Sequence, residues 1–465
     1  MVTSIEEVAV RTASEIGLAF RSGEADPLSL TEYLLDRIER SANSNIFITV
    51  TGDRAKAEAR ESAKRYKRAR PLGPLDGVPV AWKDLFDVAG SRTTAASSLF
   101  RDSEVKRQDL KCVAFAASAG MVCLGKLNMT EFAYSGLGLN PHFGTPVNPN
   151  DTRVHRSPGG SSSGSGAVIA AGLAPCAVGT DTGGSVRIPA SLNGVYGYKT
   201  SEGRIDKEGL VPLSRTLDSI GPLGRSVADC VLMDMVLRGA VSTDVRRQEL
   251  SSAKIIVPEN FVLDGCAPAV LENFELCLRR LEKAGARIER RRIPEIDEAN
   301  ALTAAHGSLA AAESYYEYNA LVESKDGNKM DPRVVHRIMQ GGRMSANDLL
   351  CIQETRRKTM NSLAASLDDA LIAMPTTPIT APEIAPLEAD MDLFHQVNLN
   401  LLKNTMVGNF LGFCGLAIPS GRDENHLPTS ILFSALRGRD DFLLGLGLEV
   451  DRVLQDCFEP TWTRK

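Results

Sequence analysis

The first 70 residues place their hydrophobic side chains at helical spacing. One face of an expected helix holds three aliphatic residues: Leu30, Leu34 and Ile38. Ser29 followed by Glu32 has the spacing of an N-terminal capping box. The turn-forming stretch PLGPLDG at 71–77 then interrupts this pattern. We therefore predict an N-terminal helical appendage over residues 1–70 and a core domain over residues 71–465.

From residue 78 to about residue 237, short hydrophobic runs alternate with segments of helical pattern. The expected strands are residues 78–86, 121–124 and 176–179, and the expected helices are residues 111–119 and 167–173. This alternation is typical of a mostly parallel sheet with helices on its faces. The pattern indicates the α/β fold class.

A charged, alanine-rich helical pattern dominates residues 245–365, with Val270, Phe274 and Leu278 on one hydrophobic face. Further along the chain we expect two strands and a closing helix, at residues 371–374, 416–418 and 441–454. We interpret residues 245–365 as a helical segment that interrupts the core.

Composition excludes several classes of protein. The 53 basic residues nearly balance 58 acidic residues, and a net charge of −5 does not suit an electrostatic nucleic-acid binder. Nine cysteines without CxxC spacing indicate reduced thiols rather than disulfides or a zinc site. The N-terminal residues contain no apolar signal core, and the longest charge-free stretch, 157–180, is rich in Gly, Ser and Pro. We expect a cytoplasmic protein without membrane or nucleic-acid partners.

Three short motifs match known site patterns but lack the required context. Residues 120–126 have the GxxxxGK spacing of a phosphate loop, yet Leu127 replaces the Ser or Thr that would bind Mg²⁺. Residues 160–164 satisfy the GxSxG pattern of a nucleophile elbow, but a turn sequence precedes them instead of a strand. The SxxK match at residues 251–254 has no companion motif. We interpret all three as chance matches.

Residues 157–204 hold two clusters of Ser and Gly separated by a short helix and a strand. The clusters read GGSSSGSG at residues 159–166 and GGS at residues 183–185. Consecutive glycines leave backbone N–H groups free to converge on an anion or an oxyanion. A flexible linker is the alternative, although a linker seldom leads into a buried, alanine-rich helix. We interpret both clusters as functional loops.

This stretch resembles the signature of the amidase signature family, whose members hydrolyse carboxylic amides with a Ser–cis-Ser–Lys triad. The similarity continues to GVPVAWKD at residues 77–84, GKLNMTEF at residues 125–132 and MPTTP at residues 374–378. It covers most of residues 28–456. The resemblance implies a central mixed β-sheet surrounded by α-helices, and it implies no metal or organic cofactor.

The resemblance also implies roles for individual residues. Ser185 falls at the position of the acylated nucleophile, Ser161 at the bridging serine and Lys83 at the base. The implied oxyanion hole is formed by backbone N–H groups of Thr182, Gly183, Gly184 and Ser185. Ser162, Asp181 and Arg187 correspond to supporting residues.

A lysine base makes a specific physical demand. A serine hydroxyl becomes a good nucleophile only when a neighbouring base removes its proton. Without a histidine partner, a neutral lysine can serve if its pKa falls from about 10.4 to about 7. Burial beside a hydrogen-bonding serine is the expected cause. Considered without the resemblance, Lys83 would instead be expected as an exposed, snorkelling side chain.

Substrate preference is predicted from weaker signals. We expect an amide of small or medium size, uncharged or weakly polar, rather than a long-chain lipid amide. The candidate pocket walls are Tyr315, Tyr316 and Tyr318 in the helical segment, together with Cys414 and Thr429 near the C-terminus. The alternative for the tyrosines is simple packing against the core.

The expected activity is hydrolysis of a carboxylic amide to an acid and ammonia or an amine, through an acyl-serine intermediate. One alternative is the glutaminase subunit of a tRNA-dependent amidotransferase, and a second is a non-catalytic binding protein of the same fold. The expected ligand is a small amide, and the sequence leaves a homodimer open.

Overall fold

A single mixed sheet runs through the middle of the protein. The computed structural model describes residues 4–243, 245–367 and 369–463. In these residues the strands are β1 (Phe47–Val50), β2 (Pro79–Lys83), β3 (Val122–Leu127), β4 (Cys176–Asp181), β5 (Tyr196–Lys199), β6 (Ser219–Gly224), β7 (Lys254–Pro258), β8 (Arg287–Arg291), β9 (Leu371–Pro375), β10 (Cys414–Arg422) and β11 (Pro428–Ala435). Their spatial order is β1-β3-β2-β4-β6-β5-β10-β11-β9-β7-β8.

The sheet has a central antiparallel region between two parallel regions, and the edge pair β1–β3 is antiparallel. β2 is parallel to both β3 and β4, whereas β4, β6, β5, β10, β11 and β9 follow one another in antiparallel pairs. The chain returns to parallel pairing at β9, β7 and β8. The prediction of a central mixed sheet is confirmed, while the expectation of a mostly parallel sheet holds only toward its two ends.

Helices cover the sheet. They are α1 (Ile5–Ala9), α2 (Ala13–Ser22), α3 (Pro27–Arg40), α4 (Gly52–Lys67), α5 (Lys111–Ser118), α6 (Ser163–Ala170), α7 (Arg187–Asn193), α8 (Val227–Leu237), α9 (Pro268–Lys283), α10 (Pro294–His306), α11 (Leu309–Val322), α12 (Pro332–Gly341), α13 (Ala346–Leu367), α14 (Ile384–Ala389), α15 (Met391–Phe410) and α16 (Asp440–Leu454). Among the helices described, none has both the length and the apolar character needed to cross a bilayer.

The N-terminal 70 residues are helical but not wholly separate from the core. β1 joins the edge of the sheet, with Phe47 opposite Leu127 of β3. α3 begins at Pro27 because Asp26 is its cap: the Asp26 carboxylate accepts hydrogen bonds from the backbone N–H groups of Leu28, at 2.9 Å, and Ser29, at 3.1 Å. The expected capping box at Ser29 is therefore wrong.

Residues 245–365 form a mixed segment rather than a purely helical one. β7 and β8 lie at the edge of the sheet, where Ile255 pairs with both Ile288 and Leu371. The strand Arg287–Arg291 was not predicted, because four of its five residues are charged and none of the five is fully buried, which leaves little hydrophobic pattern. The remainder of the segment supplies α9 to α13.

The first Ser and Gly cluster is packed helix and turn rather than linker. All eight residues of α6 are buried. A Cβ atom on Gly164 would lie 2.7 Å from the carbonyl oxygen of Ile46 and 2.8 Å from that of Asn128. The small residues are therefore needed because neighbouring backbone approaches the helix on several sides.

Candidate active site

Parallel strands bring the three candidate residues to one edge of the sheet. Lys83 is the last residue of β2, and Ser185 follows the end of β4 by four residues. β2 and β4 pair directly, with Trp82 opposite Val178, so their carboxyl ends lie side by side. Ser161 lies in the turn that enters α6. The carboxyl edge of parallel strands is a common position for ligand sites in α/β proteins.

The Lys83 side chain ends among hydroxyl groups. It is fully buried, and its Nζ lies 2.7 Å from Ser161 Oγ and 2.7 Å from Thr180 Oγ1. Lys126 and Lys199 are also fully buried, but their ammonium groups lie 2.6 Å from Asp84 and 3.2 Å from Glu202. Within the described residues no carboxylate lies within ion-pair distance of Lys83, which distinguishes it from the other two.

This environment favours the neutral form of the amine. Burial lowers the pKa of Lys83 to about 7, although the nearby charges of Asp218 and Asp181 act in the opposite direction. Near neutral pH the amine can therefore accept a proton from a neighbouring hydroxyl. The predicted pKa shift and its predicted cause agree with this geometry.

Backbone hydrogen bonds fix the Ser161 loop. The peptide bond between Gly160 and Ser161 is cis. The N–H of Gly160 donates to the carbonyl of Gly136 at 2.7 Å, and the carbonyl of Ser161 accepts from Thr130 at 3.0 Å. The Ser162 N–H donates to the carbonyl of Ser185 at 3.3 Å, and the Ser162 hydroxyl donates to the carbonyl of Thr180 at 3.3 Å. Ser162 therefore connects the loop of Ser161 to the loop of Ser185.

An ion pair closes the loop that carries Ser185. Asp181 and Arg187 are buried, and two guanidinium nitrogens lie 2.9 and 3.0 Å from the Asp181 carboxylate oxygens. Asn409 of α15 donates to the same carboxylate at 2.9 Å. Burial acts to raise the pKa of Asp181, but Arg187 holds it well below its usual range. The Asp181 carboxylate therefore remains charged and holds both ends of the loop.

The turn between this pair presents free backbone donors. In the described chain, the N–H groups of Gly183, Gly184 and Ser185 donate no hydrogen bond to a protein acceptor. Gly184 has φ +138, and a Cβ atom there would lie 2.2 Å from Thr405 Oγ1. A residue with a side chain would therefore push α15 away from the turn.

A cavity of about 250 Å³ opens beside this turn. Its apolar walls come from α10, α11, α15 and neighbouring loops, and include Leu213, Leu217, Phe261, Ala299, Leu309, Leu402, Met406, Val407 and Phe410. Thr182, Gly183 and Ser185 form the polar end next to the candidate nucleophile. An amide carbonyl can therefore approach Ser185 from inside the cavity.

Two cationic side chains line the cavity, and no acidic side chain does so among the residues described. The Arg337 guanidinium stacks on the ring of Tyr134, with its central carbon 4.5 Å from the ring centroid. Its Nε is buried without a hydrogen-bond partner, and burial lowers the pKa of Arg337. Lys403 Nζ donates to the carbonyl of Asp264 at 2.5 Å and lies over Phe261. The cavity is electropositive.

The three predicted tyrosines lie away from this cavity. Tyr316 is 75% exposed, and Tyr315 packs against the core. Tyr318 is buried, with its ring 4.6 Å from that of Phe132 and its hydroxyl donating to the carbonyl of Pro212. The cavity contacts only the start of α11, at 308–310, so the tyrosines follow it by more than a turn. Their expected role as pocket walls is not what the structure shows.

Cys414 and Thr429 lie on β10 and β11 and do not line the cavity. Cys414 is buried beneath α8, α9 and α16, with its Sγ 3.6 Å from the carbonyl of Ala435. The hydroxyl of Thr429 accepts a hydrogen bond from Asn273 of α9 at 3.0 Å. The cavity-lining residues come instead from α10, α11, α12, α15 and neighbouring loops. The expectation that Cys414 and Thr429 form pocket walls is therefore not what the structure shows.

Sequence reasoning missed Arg337, Asn300 and Tyr134. Arg337 lies in the amphipathic segment VVHRIM of α12, where an arginine normally faces solvent. Tyr134 follows the GKLNMTEF motif by two residues, and that proximity was an available signal. Asn300 has a buried side-chain nitrogen without a partner, which only the tertiary structure reveals.

The described residues contain no group of three or more His, Cys, Asp or Glu side chains that could hold a metal ion. The polar groups at the sheet edge are a lysine, serines, threonines and backbone N–H groups, which suit acyl transfer through a serine. The α/β fold and this set of groups are what an acyl-transferring hydrolase with a serine nucleophile and a lysine base would require.

Residues 29–444 match the Amidase family. The chain therefore belongs to the amidase signature family, as the resemblance implied, and it is a hydrolase acting on C–N amide bonds.

Two curated relatives and one solved structure illustrate this membership. The chain is 32% identical over 416 residues to 2-amino-5-chloromuconic acid deaminase of Comamonas testosteroni, covering 88% of each chain. It is 33% identical over 482 residues to the glutamyl-tRNA(Gln) amidotransferase A subunit of Pseudomonas entomophila (strain L48), covering 95% of this chain and 97% of the relative. A crystal structure of an amidase superposes with a TM-score of 0.84 at 26% identity, covering 96% of this chain and 100% of that one.

Proposed function

We propose that this protein hydrolyses a small or medium amide through an acyl-enzyme on Ser185. The proton of the Ser185 hydroxyl passes to Ser161 Oγ while the proton of Ser161 passes to neutral Lys83. Ser185 Oγ then bonds to the amide carbon, and the carbonyl electrons move onto its oxygen. The C–N bond breaks as the proton returns from Lys83 through Ser161 to the leaving nitrogen. Water then bonds to the acyl carbon while its proton passes through Ser161 to Lys83. The carbonyl re-forms as the bond to Ser185 Oγ breaks, and the proton returns to Ser185 Oγ as the acid leaves.

The observation that carries this mechanism is the environment of Lys83. Its Nζ lies 2.7 Å from Ser161 Oγ in a buried site where hydroxyl groups replace the usual carboxylate partner. A lysine paired with a carboxylate would remain protonated, so it could not act as the base. The lowered pKa of about 7 is the value that a general base needs near neutrality.

The turn at Ser185 supports the second requirement, stabilisation of the oxyanion. The N–H groups of Gly183, Gly184 and Ser185 have no protein acceptor in the described chain, and two of these residues line the cavity. Preorganised donors at the point where negative charge develops contribute about 10²–10³ in rate for each donor. Thr182 completes the set named by the family resemblance.

We further propose that the substrate carries a negatively charged group, which differs from the expectation of an uncharged amide. Arg337 and Lys403 line the cavity without an acidic neighbour in its described wall. Arg337 is half-buried and its buried Nε has no hydrogen-bond partner among the described residues, so a carboxylate on the substrate would compensate the cost of removing this charge from water. The apolar wall between Arg337 and Ser185 then accommodates a short hydrocarbon spacer.

The reaction is tested by ammonia release and acyl-enzyme trapping. Ser185→Ala should reduce turnover to the background rate while the protein remains folded by circular dichroism. Ser165→Ala is the matched control, because this buried serine donates to the Val178 carbonyl at 3.3 Å and does not line the cavity. Activity retained in Ser185→Ala would contradict the proposed nucleophile.

The substrate class is tested with succinamate and butanamide, which differ mainly in the terminal carboxylate. We expect a higher kcat/KM for succinamate than for butanamide. Arg337→Met should lower the kcat/KM for succinamate by about 10- to 100-fold, which corresponds to the loss of one charge-assisted hydrogen bond. Butanamide turnover by Arg337→Met should change little. Equal losses with both amides would contradict an anion-binding role.

A glutaminase subunit remains the second candidate, because the similarity to the amidotransferase relative covers almost the whole chain. Glutamine also carries a carboxylate that Arg337 could bind, but its α-ammonium group would meet no acidic side chain in the described wall of the cavity. Glutamine hydrolysis by the isolated chain, compared with succinamate and hexadecanamide, separates these candidates, and copurification with partner chains would favour the glutaminase. A tenfold preference for hexadecanamide, about 1.4 kcal/mol, would contradict both.

A further inference from the structure

Asp218 is a buried carboxylate that the triad mechanism does not use. It directly precedes β6, whose first residue, Ser219, pairs with Asp181 at the end of β4. Continuing this antiparallel register by one residue sets Asp218 beside Thr182, the first residue of the turn that leads to Ser185. The sheet therefore places a carboxylate next to the proposed oxyanion hole.

The two oxygens of Asp218 connect different walls of the site. Oδ1 accepts a hydrogen bond from the Thr182 hydroxyl. Oδ2 accepts from the backbone N–H groups of Leu213, at 2.9 Å, and Ser214, at 3.1 Å. Thr182 and Leu213 both line the cavity. One carboxylate thus fixes the oxyanion turn relative to the loop that forms the opposite apolar wall.

Asp218 differs from Asp181 in the way its charge is balanced. Asp181 forms two hydrogen bonds with the Arg187 guanidinium. No cationic side chain lies within ion-pair distance of Asp218 in the described residues, and Lys207 Nζ donates to its backbone carbonyl at 2.8 Å. Burial holds the pKa of Asp218 above its ordinary value, and its hydrogen bonds to Thr182, Leu213 and Ser214 and the charge of Lys207 oppose that rise.

The charge of Asp218 reaches the proposed base. Burial is the main influence on the pKa of Lys83 and lowers it, whereas Asp218 and then Asp181 raise it. Among the described residues, the charged groups that shift the pKa of Lys83 are these two carboxylates, one in the loop before β6 and one in β4. Because Asp181 is neutralised by Arg187, Asp218 provides the less compensated negative charge.

We propose that Asp218 is a positioning residue that holds Thr182 in the oxyanion turn and, through its negative charge, sets the pH range in which Lys83 acts as a base. This inference rests on the proposed function. It predicts that geometry and charge can be separated by substitution. Loss of the Thr182 hydrogen bond changes the rate, and loss of the charge changes the pH profile.

The test is the pH profile of kcat/KM, measured with whichever of succinamate, butanamide and glutamine is hydrolysed fastest. Asp218→Asn removes the charge, so protonated Lys83 is less favoured and the acid limb should move about one unit to lower pH. The maximum rate should fall as well, because an amide cannot accept from both Thr182 and the N–H groups of Leu213 and Ser214. Thr182→Val is the matched control, with a lower rate and an unmoved acid limb.

Two results would overturn the proposal: an unmoved acid limb in Asp218→Asn, or an equal displacement in Thr182→Val. If Asp218→Asn does not fold, Asp218→Glu retains the charge but displaces the oxygens, and it should lower the rate without moving the limb. A displaced limb in Asp218→Glu would contradict the proposal. Failure of the triad itself is distinguishable, because Ser185→Ala would then keep its activity.

Discussion

The serine–lysine centre and the helical wall of the cavity satisfy their polar groups in opposite ways. We define the centre as Lys83, Thr180, Ser161 and Ser185, and the helical wall as the cavity-lining residues of α10, α11 and α12 with residue 308. In the centre, the Lys83 amine contacts two hydroxyls at 2.7 Å. In the wall, Arg337 Nε and Asn300 Nδ2 are buried and have no hydrogen-bond partner in the described part of the chain.

This difference separates chemistry from recognition. The centre lies at the ends of paired strands, where neighbouring backbone leaves each side chain little freedom. The wall is contributed by short stretches of several helices, and two of its buried polar atoms, Arg337 Nε and Asn300 Nδ2, find no acceptor among the described residues. Interactions in the centre therefore define the reaction, whereas those in the wall select which amide enters.

The largest expected effect comes from Lys83→Met. We expect turnover to fall by about 10²–10⁴-fold, the usual contribution of a general base. The fold should persist, because no carboxylate is left unpaired. In the unaltered protein, activity should rise with pH through about 7 as Lys83 becomes neutral.

Steady-state rates between pH 5 and 10, with denaturant unfolding as the stability measurement, check this prediction. Lys126→Met is the matched control, since it leaves the buried Asp84 carboxylate without its partner at 2.6 Å. It should lose stability, whereas Lys83→Met should lose activity. The reverse pattern would contradict the assignment of the base.

A smaller effect is expected for the ion pair that closes the Ser185 loop. Arg187→Met leaves Asp181 buried and unpaired, so the free energy of unfolding should fall by roughly 3–5 kcal/mol. The pair holds the pKa of Asp181 below its unfolded value. Its stabilisation is therefore complete above the unfolded pKa of about 4 and is lost as pH falls further.

Unfolding in urea at pH 7 and at pH 3 measures this dependence. The difference in the free energy of unfolding between the unaltered protein and Arg187→Met should be smaller at pH 3 than at pH 7. A difference that widened toward acid would mean that Asp181 is not held as a charged carboxylate.

The smallest effect belongs to the helical wall. Asn300→Ala removes a donor that has no protein partner and that we expect to bind the substrate. The value of kcat/KM should therefore fall about fivefold, equivalent to about 1 kcal/mol, with little change in Tm. Tyr316→Ala is the control on the same segment, because Tyr316 is 75% exposed and lies outside the cavity. An effect of Tyr316→Ala as large as that of Asn300→Ala would mean that the cavity extends further along α11.

The sequence by itself determined the parts of this protein that depend on local order. Strands β2, β3, β4 and β9 and helix α5 were predicted because their hydrophobic runs are continuous and bounded by turns. The Ser and Gly loops were recognisable because close backbone approach demands small residues at fixed spacing. The same local spacing brings Asp181 and Arg187, six residues apart, onto one turn.

Only the tertiary structure decided the rest. β6 was missed because SIGPLG has no alternation, yet Pro222 pairs with Val178 in the middle of the sheet. Arg337 and Asn300 reach the cavity through the packing of separate helices, and no local pattern distinguishes them from surface residues. The physical reason is range: a turn is specified by neighbouring residues, whereas a cavity wall is specified by which distant surfaces pack together.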